Sequence, residues 1–146
     1  MKISEMMTRD VRTLSPEIPA VDALRKLFSE KISGLPVVSG EGKLIGMFTE
    51  KDVLRAILPS YVSQVGRFVY ENGPKTISSK VAKLSRFKVS DLMRKEVVKV
   101  SGDTPVSEVA HIMLTQNVRR VPVVDSEDRI AGIVARADVL DWLLKG

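Results

Sequence analysis

Apolar and polar positions along this chain alternate with the periods of helices and strands, in a fixed order. A helix with one buried face is predicted by the i, i+3, i+4, i+7, i+8 spacing of Ala20, Ala23, Leu24, Leu27 and Phe28. A strand-like run at 11–14 precedes this helix, and apolar runs at 35–38 and 44–48 follow it. The polar stretch 39–43 between those runs is typical of a hairpin loop. With a further helix beginning near Glu50, the order is strand, helix, strand, strand, helix.

The same order recurs later in the chain, because residues 2–54 align with 88–140 without a gap. Of the 53 aligned positions 14 are identical, where about three would be expected from ordinary composition. A single copy would be marginal in size, so we expect the two copies to pack on each other. The chain therefore divides into a first repeat (2–54), an insert (55–87) and a second repeat with a C-terminal helix (88–146).

Each repeat is predicted to be an α/β unit with a three-stranded sheet, its first two strands joined by a right-handed crossover. Gly46 and Gly132, identical in the two copies, indicate a close approach of another backbone. In the insert, apolar residues at helical spacing in 61–69 and 77–84 predict two short amphipathic helices, separated by Asn72-Gly73-Pro74. We expect these helices to pack on the repeats or on a second subunit.

Composition excludes several classes of site. The chain has no Cys and one His, which excludes disulfides, thiolate catalysis and metal sites built on sulfur or on clustered imidazoles. No apolar run approaches the roughly 18 residues that span a bilayer, and the N-terminus lacks the apolar stretch of a secretory signal. We therefore expect a cytoplasmic protein that does not enter a membrane.

The net charge of +5 and the pI near 9.6 favour an anionic partner. The basic residues are scattered, without the stripe or interleaved aromatic residues that nucleic acid would favour. A small phosphate-bearing ligand needs only a few well-placed cations, so it is the preferred expectation. The alternative is a nucleic-acid-binding regulator or a structural scaffold.

Two matching segments, 46–52 and 132–138, lie where a strand leads into a helix. The hydroxyl of Thr49 and free backbone N–H groups at a helix start would suit a phosphate. An aspartate one turn later, Asp52 or Asp138, could accept two hydrogen bonds from adjacent ribose hydroxyls. Alternatively, both aspartates only complement the first turn of their helices. The residues alone leave these two interpretations open.

In residues 32–38 and 46–54 and their counterparts, the sequence resembles CBS domains, which occur as tandem pairs. The resemblance covers both repeats but not the insert 55–87. It implies two repeats packed as a pseudo-two-fold pair that binds AMP, ADP, ATP or S-adenosylmethionine in clefts between them. It also implies a non-catalytic regulatory protein, a flat homodimer and an unknown partner protein in trans, with Mg²⁺ accompanying a polyphosphate ligand.

The resemblance also assigns roles to individual residues. Asp52 and Asp138 would hold ribose, and Thr49 would contact phosphate or ribose. The adenine would be bordered by Gly34, Leu35 and Pro36 in one copy and by Arg120, Val121 and Pro122 in the other. Thr13 and its counterpart Lys99 would line the opposite wall.

Two further features distinguish the copies. Arg119 and Arg120 would face phosphates, or would form a solvated helix end. Ala135 stands where the family usually has Thr or Ser, so the first motif is the stronger candidate site. Trp142 would anchor a subunit contact or cap the core. An enzyme is the least favoured class, because no nucleophile with its base is recognisable.

Overall fold

The secondary structure repeats once along the chain, as the sequence predicts. The structure, a computed structural model, describes residues 1–58 and 82–145. A 3₁₀ turn, Ile3–Glu5, opens it. The described helices are α1 (Ala20–Glu30), α2 (Glu50–Ile57), α3 (Val89–Leu92), α4 (Val106–Gln116) and α5 (Arg136–Lys145). The described strands are β1 (Gly34–Val38), β2 (Leu44–Thr49), β3 (Val100–Ser101), β4 (Arg120–Val124) and β5 (Ile130–Ala135). The helices predicted in the insert fall mostly on 59–81, outside the described residues.

Helices α1 and α4 are counterparts in the two copies and bury matching faces. The buried residues are Ala20, Ala23 and Leu27 in α1 and Val106, Val109 and Met113 in α4. These residues belong to the apolar stripes that the 3.6-residue period predicts. The prediction was wrong for the last position of each stripe, because Phe28 and its counterpart Leu114 are exposed. Both helices end on a non-glycine residue in the left-handed region, Lys31 (φ 55°) and Asn117 (φ 53°).

The second repeat contains the predicted three-stranded sheet, in the order β3-β4-β5. Strand β3 runs parallel to β4, which pairs antiparallel with β5. In the first repeat, β1 and β2 form a two-stranded sheet, and the predicted strand at 11–14 is reduced to one parallel bridge between Leu14 and Val37. The prediction of a third regular strand was therefore wrong for the first copy.

Contacts divide the chain into two compact units that do not coincide with the two repeats. Unit 1 consists of Met1–Thr13, Val38–Ile45 and the chain from Glu96 onward. Unit 2 consists of Leu14–Val37 and the described residues of Gly46–Lys95. Each unit thus combines most of one repeat with the opening segment of the other.

Both opening segments are held by the same kind of contact. In unit 1, Thr8 and Ile133 exchange backbone hydrogen bonds of 2.9 Å in both directions, and Ile3 lies in the core formed by β3, β4, β5, α4 and α5. In unit 2, Met47 and Arg94 exchange hydrogen bonds of 2.9 and 2.8 Å. Each opening segment therefore adds a short antiparallel bridge beside the last strand of the other repeat.

The glycines at 46 and 132 allow this bridge to form. A Cβ on Gly46 would lie 2.6 Å from Sδ of Met93 and 3.0 Å from the carbonyl oxygen of Arg94. A Cβ on Gly132 would collide with Sδ of Met7 and lie 3.0 Å from the carbonyl oxygen of Thr8. The close backbone approach predicted from these two identical glycines is confirmed.

Candidate functional site

In each copy, a backbone hydrogen bond fixes the turn from the last strand into the last helix. The N–H of Glu50 donates to the carbonyl of Ser33 at 3.0 Å, and the N–H of Arg136 donates to the carbonyl of Arg119 at 2.8 Å. The residue before β1 or β4 is thereby held against the start of α2 or α5. The first-copy turn lies in unit 2, and the second-copy turn lies in unit 1.

Asp52 is a buried carboxylate at the start of α2. Its Oδ2 accepts from the backbone N–H of Thr49 at 2.8 Å and from the hydroxyl of Thr49 at 3.1 Å. Its Oδ1 accepts from Nη1 of Arg55 at 2.8 Å. The Asp52 side chain is 4% exposed and that of Arg55 is 58% exposed. A buried carboxylate is therefore paired with an arginine that reaches it from the surface.

Asp138 occupies the equivalent position in α5 with a simpler set of contacts. Its Oδ2 accepts from the backbone N–H of Ala135 at 2.8 Å. The counterpart of Arg55 is Asp141, which forms an ion pair of 2.9 Å with Lys145. The pKa of Lys145 is raised above its usual value, because Lys145 donates a hydrogen bond to Asp141 and lies beside the negative charge of that carboxylate. Within the described residues, the other oxygen of Asp138 therefore has no competing side-chain donor.

These contacts show one of the two roles that the sequence suggested for the aspartates. Both aspartates accept the N–H of the residue three positions earlier, so both cap the first turn of their helix, and ribose binding by the same carboxylates stays a prediction. The sequence also predicted free backbone N–H groups at this turn. That prediction was wrong for two of them in each copy, the N–H of the last strand residue and the N–H of the first helix residue. The N–H groups of Thr49 and Ala135 bond to the aspartates, and those of Glu50 and Arg136 bond to the residue before the strand.

The first copy has Thr49 where the second copy has Ala135, and the residue that faces this position from the neighbouring strand differs as well. A Cβ on Gly34 would lie 2.8 Å from Cγ2 of Thr49, so a side chain at 34 conflicts with threonine at 49. In the second copy, Arg120 pairs directly with Ala135, whose side chain has no γ atoms. One copy thus combines glycine with a hydroxyl, and the other combines a guanidinium with a methyl group.

The other predicted site residues lie close to these turns. Leu35 and Pro36 are buried in β1, and Val121 and Pro122 are buried in β4. Thr13 belongs to unit 1, whereas the other first-copy candidates belong to unit 2. Within unit 2, the N–H of Leu14 donates to the carbonyl of Pro36 at 2.9 Å. Nζ of Lys99 pairs with Asp128 in the β4–β5 loop at 2.6 Å. Lys99 is therefore already engaged within unit 1.

A cavity of about 430 Å³ opens beside Asp138 in unit 1. Its lining is formed by Met1, Met6, Asp138, Asp141, Trp142 and Lys145. Trp142 also packs against the core of the unit, so the prediction that it caps the core is confirmed. The first copy has Arg55 and Ala56 where this lining has Asp141 and Trp142, so the surroundings of the two aspartates differ in charge and size.

The sequence interpretation did not single out Arg55 or Asp141. A detectable signal was the i, i+3 spacing of Asp52 and Arg55 on a predicted helix, with two aspartates at the same spacing in the second copy. Within residues 1–58 and 82–145, His, Asp and Glu do not cluster in a group of three or more that could hold a metal ion. Among the same residues, no helix is long and apolar enough to cross a membrane.

Comparison with known proteins gives consistent matches over both repeats. The CBS domain profile matches residues 3–59 and 89–145. A CBS domain-containing protein of Dictyostelium discoideum is 30% identical over 143 residues, which cover 98% of this chain and 91% of that protein. Inosine-5'-monophosphate dehydrogenase of Methanocaldococcus jannaschii is 33% identical, but the matched region spans only 23% of that enzyme.

Solved structures agree with the sequence matches. The Arabidopsis thaliana CBS-pair protein CBSX2 is similar with a TM-score of 0.80 and 25% identity, covering 99% of this chain and 94% of that chain. A structure of CBSX2 in complex with AMP has a TM-score of 0.76 over 99% of this chain and 96% of that chain. The α/β fold with tandem repeats predicted from the sequence is confirmed.

Proposed function

The chain belongs to the CBS domain family, and we propose that it is a non-catalytic regulatory module that binds an adenosine-containing ligand. The ligand is AMP, ADP, ATP or S-adenosylmethionine, bound at the strand-to-helix turn of each copy. Asp52 and Asp138 hold the ribose hydroxyls. The adenine lies against the backbone of Gly34, Leu35 and Pro36 in one copy and of Arg120, Val121 and Pro122 in the other.

One observation carries the proposal: both copies place an aspartate at the same turn and orient it by the same hydrogen bond. The bond from the N–H of Thr49 to Asp52 and the bond from the N–H of Ala135 to Asp138 are both 2.8 Å. Such a carboxylate is held in place before a ligand arrives, which reduces the entropy lost on binding. Hydrogen bonds to a charged carboxylate contribute about 1.5 to 3 kcal/mol each, enough to select a diol.

The comparisons support the ligand class. CBSX2 has been crystallised with AMP, and its fold covers nearly the whole of this chain. Around the ribose, Thr49 supplies a hydroxyl to the first site, while Arg119 and Arg120 supply positive charge to the second. Lys99, which lies in the same unit as Asp138, lines the opposite wall of the second site in this proposal. Mg²⁺ with a polyphosphate ligand and a cytoplasmic location stay predictions.

Regulation, not catalysis, is the proposed output. The similarity to inosine-5'-monophosphate dehydrogenase is confined to 23% of that enzyme, so its reaction is not assigned to this chain. We propose that ligand binding changes the affinity for a partner protein. Such coupling requires a ligand that binds the two states of the module with different affinities.

We also propose that the module is a homodimer. Large apolar side chains are exposed at equivalent positions of both copies, namely Phe28 and Leu114 in α1 and α4, and Leu54 and Leu140 in α2 and α5. Each unit carries one pair of these side chains, on two helices that contact each other. Exposed apolar patches mark protein–protein contacts. A second copy of the chain would cover them.

Thermal unfolding with AMP, ADP, ATP and S-adenosylmethionine tests the ligand assignment. A ligand present at about 100 times its dissociation constant stabilises the native state by about 2.7 kcal/mol, a rise of about 5 to 10 °C in Tm for a chain of this size. We expect this rise with at least one of the four compounds. It should be reduced in Asp52→Asn and Asp138→Asn and lost when both changes are combined.

The shift in Tm on adding ligand, compared within each variant, separates lost binding from lost stability. Asp22→Asn is the matched control, because Asp22 is an exposed helix carboxylate in α1 that also pairs with an arginine. An absence of any shift with all four compounds would contradict the proposal. Salt-sensitive binding of generic DNA or RNA would then favour a nucleic-acid-binding regulator.

A further inference from the structure

Arg55 and its counterpart Asp141 make the two copies unequal as ribose sites. We propose that Arg55 is a specificity-determining residue that blocks Asp52 against unphosphorylated adenosine compounds and admits phosphorylated ones. This inference rests on the proposed function, because it concerns the ligand selectivity of the same site. It assigns to Arg55 a role beyond the helix surface on which it lies.

The carboxylate of Asp52 has most of its acceptor positions already occupied. A carboxylate has about four acceptor positions, two on each oxygen. Oδ2 already accepts from the N–H of Thr49 at 2.8 Å and from its hydroxyl at 3.1 Å, while Oδ1 accepts from Arg55 at 2.8 Å. A ribose diol donates two hydrogen bonds, and only one acceptor position is left. Full ribose contact therefore requires Arg55 to release Oδ1.

The exposure of the two partners shows which of them can move. The Arg55 side chain is 58% exposed, whereas the Asp52 side chain is 4% exposed and is also held through Thr49. Arg55 can turn into solvent without unpacking a core, and the ribose donors then replace it at the buried carboxylate. The released guanidinium has lost its anionic partner, and this loss opposes binding unless the ligand supplies another.

A phosphate is such a partner. Guanidinium groups bind phosphate through two parallel hydrogen bonds, and phosphate carries more charge than the carboxylate that Arg55 leaves. A nucleotide that occupies Asp52 therefore offers Arg55 a new contact, whereas adenosine offers none. The displacement of Arg55 is thus offset for AMP and not offset for the nucleoside.

The second copy has no arginine at the position equivalent to Arg55. At the position of Arg55 it has Asp141, which is paired with Lys145 at 2.9 Å. Asp138 accepts from the N–H of Ala135, and no arginine of α5 competes for it. Ribose contact at Asp138 therefore requires no side chain to leave, so this copy lacks the blocking contact that Arg55 provides in the first.

Calorimetric titration with AMP and with adenosine tests the role of Arg55. The 146-residue chain carrying Asp138→Ala isolates the first-copy site, and Arg55→Ala is then added. We expect Arg55→Ala to bind adenosine about tenfold more tightly, because the hydrogen bond between Arg55 and Asp52 no longer has to be broken. AMP affinity should change little, because the removed block and the lost phosphate contact offset each other, so the ratio of AMP affinity to adenosine affinity should fall about tenfold, the equivalent of one charge-assisted hydrogen bond. Arg55→Gln removes the charge but keeps an N–H donor, and should lower this ratio in the same direction.

Arg25→Ala is the matched control, because Arg25 pairs with Asp22 at 3.3 Å with the same i, i+3 spacing in the same unit. It should leave both affinities unchanged. An AMP-to-adenosine ratio within twofold of the parent value in both Arg55 variants would overturn the inference. The proposed function would survive that result if Asp52→Ala abolished binding of both compounds. If neither compound binds the parent or any variant, and the thermal assay also shows no ligand, both proposals fall.

Discussion

Asp52 accepts three hydrogen bonds from described residues, whereas its counterpart Asp138 accepts one. This difference predicts unequal costs of removing the two carboxylates. Asp138→Ala deprives one backbone N–H of its cap and should cost about 1 kcal/mol. Asp52→Ala also deprives the Thr49 hydroxyl and Arg55 of their acceptor, so it should cost about 1 kcal/mol more.

Urea denaturation of the two variants without ligand measures this difference. The comparison is direct because the same substitution is made at equivalent positions of the two repeats. Asn at each position is the control, since its side-chain oxygen can still accept the N–H of Thr49 or Ala135. Equal losses of stability in the two alanine variants would show that the contacts of Asp52 with the Thr49 hydroxyl and with Arg55 together contribute nothing to folding.

The sequence anticipated part of this arrangement. Asp52 and Asp138 stood out because both follow a strand end at the same spacing, but capping and ribose binding remained equally open. Geometry was needed to show the cap, because burial and donor positions depend on how the strand enters the helix. Arg55 drew no attention, since an arginine on a predicted helix surface is ordinary until its partner is known to be buried. The sequence alone also did not show that Gly34 faces Thr49 and that Arg120 faces Ala135. These pairs became apparent only from the way neighbouring strands are aligned.

The short strand at the start of each repeat shows how one residue changes an element. In the second copy β3 pairs with β4 through Val100 and Ser101, and Gly102 follows. In the first copy the equivalent position is Pro16, which has no N–H to donate to the next rung of a parallel ladder. Pairing there stops at the Leu14–Val37 bridge. The apolar pattern predicted two equal strands because it carries no information on the N–H group that Pro16 lacks.

The exchange of opening segments could not be predicted from the repeat. The apolar period of 2–13 fits packing on either copy, so the sequence identifies the segment but not its partner. The structure places Ile3 fully buried in the core of unit 1, among residues of the second repeat. Ile3→Ala should therefore cost about 2 to 4 kcal/mol through the cavity that it leaves.

Hydrogen exchange can locate this loss. We expect faster exchange of the β4 and β5 amides in Ile3→Ala, because these strands share a core with Ile3 although they lie more than 100 residues away in sequence. Leu144→Ala is the control, since Leu144 is 87% exposed and its truncation should change stability by less than about 0.5 kcal/mol. Unchanged exchange in β4 and β5 would contradict the assignment of the opening segment to this core.

At the level of the assembly, the repetition of exposed apolar positions predicts the oligomeric state. Leu114 and Leu140 in unit 1 recur as Phe28 and Leu54 in unit 2, and all four are more than half exposed. Replacing Leu114 and Leu140 with Glu would place unpaired charges in a dimer contact, where an uncompensated buried charge is strongly unfavourable. These variants should therefore sediment as monomers near 16.1 kDa, and the parent chain at twice that mass.

Gln116→Glu is the matched control for this experiment. It adds the same charge to an exposed position of α4, two residues after Leu114, without placing it on the apolar positions. It should leave the dimer intact, so that net charge and apolar contact are separated. A monomeric parent chain at every concentration, or a dimer that persists in both leucine variants, would contradict an interface on these helices. Dissociation by the leucine changes with AMP binding retained would show that each chain carries its ligand sites independently of dimer formation.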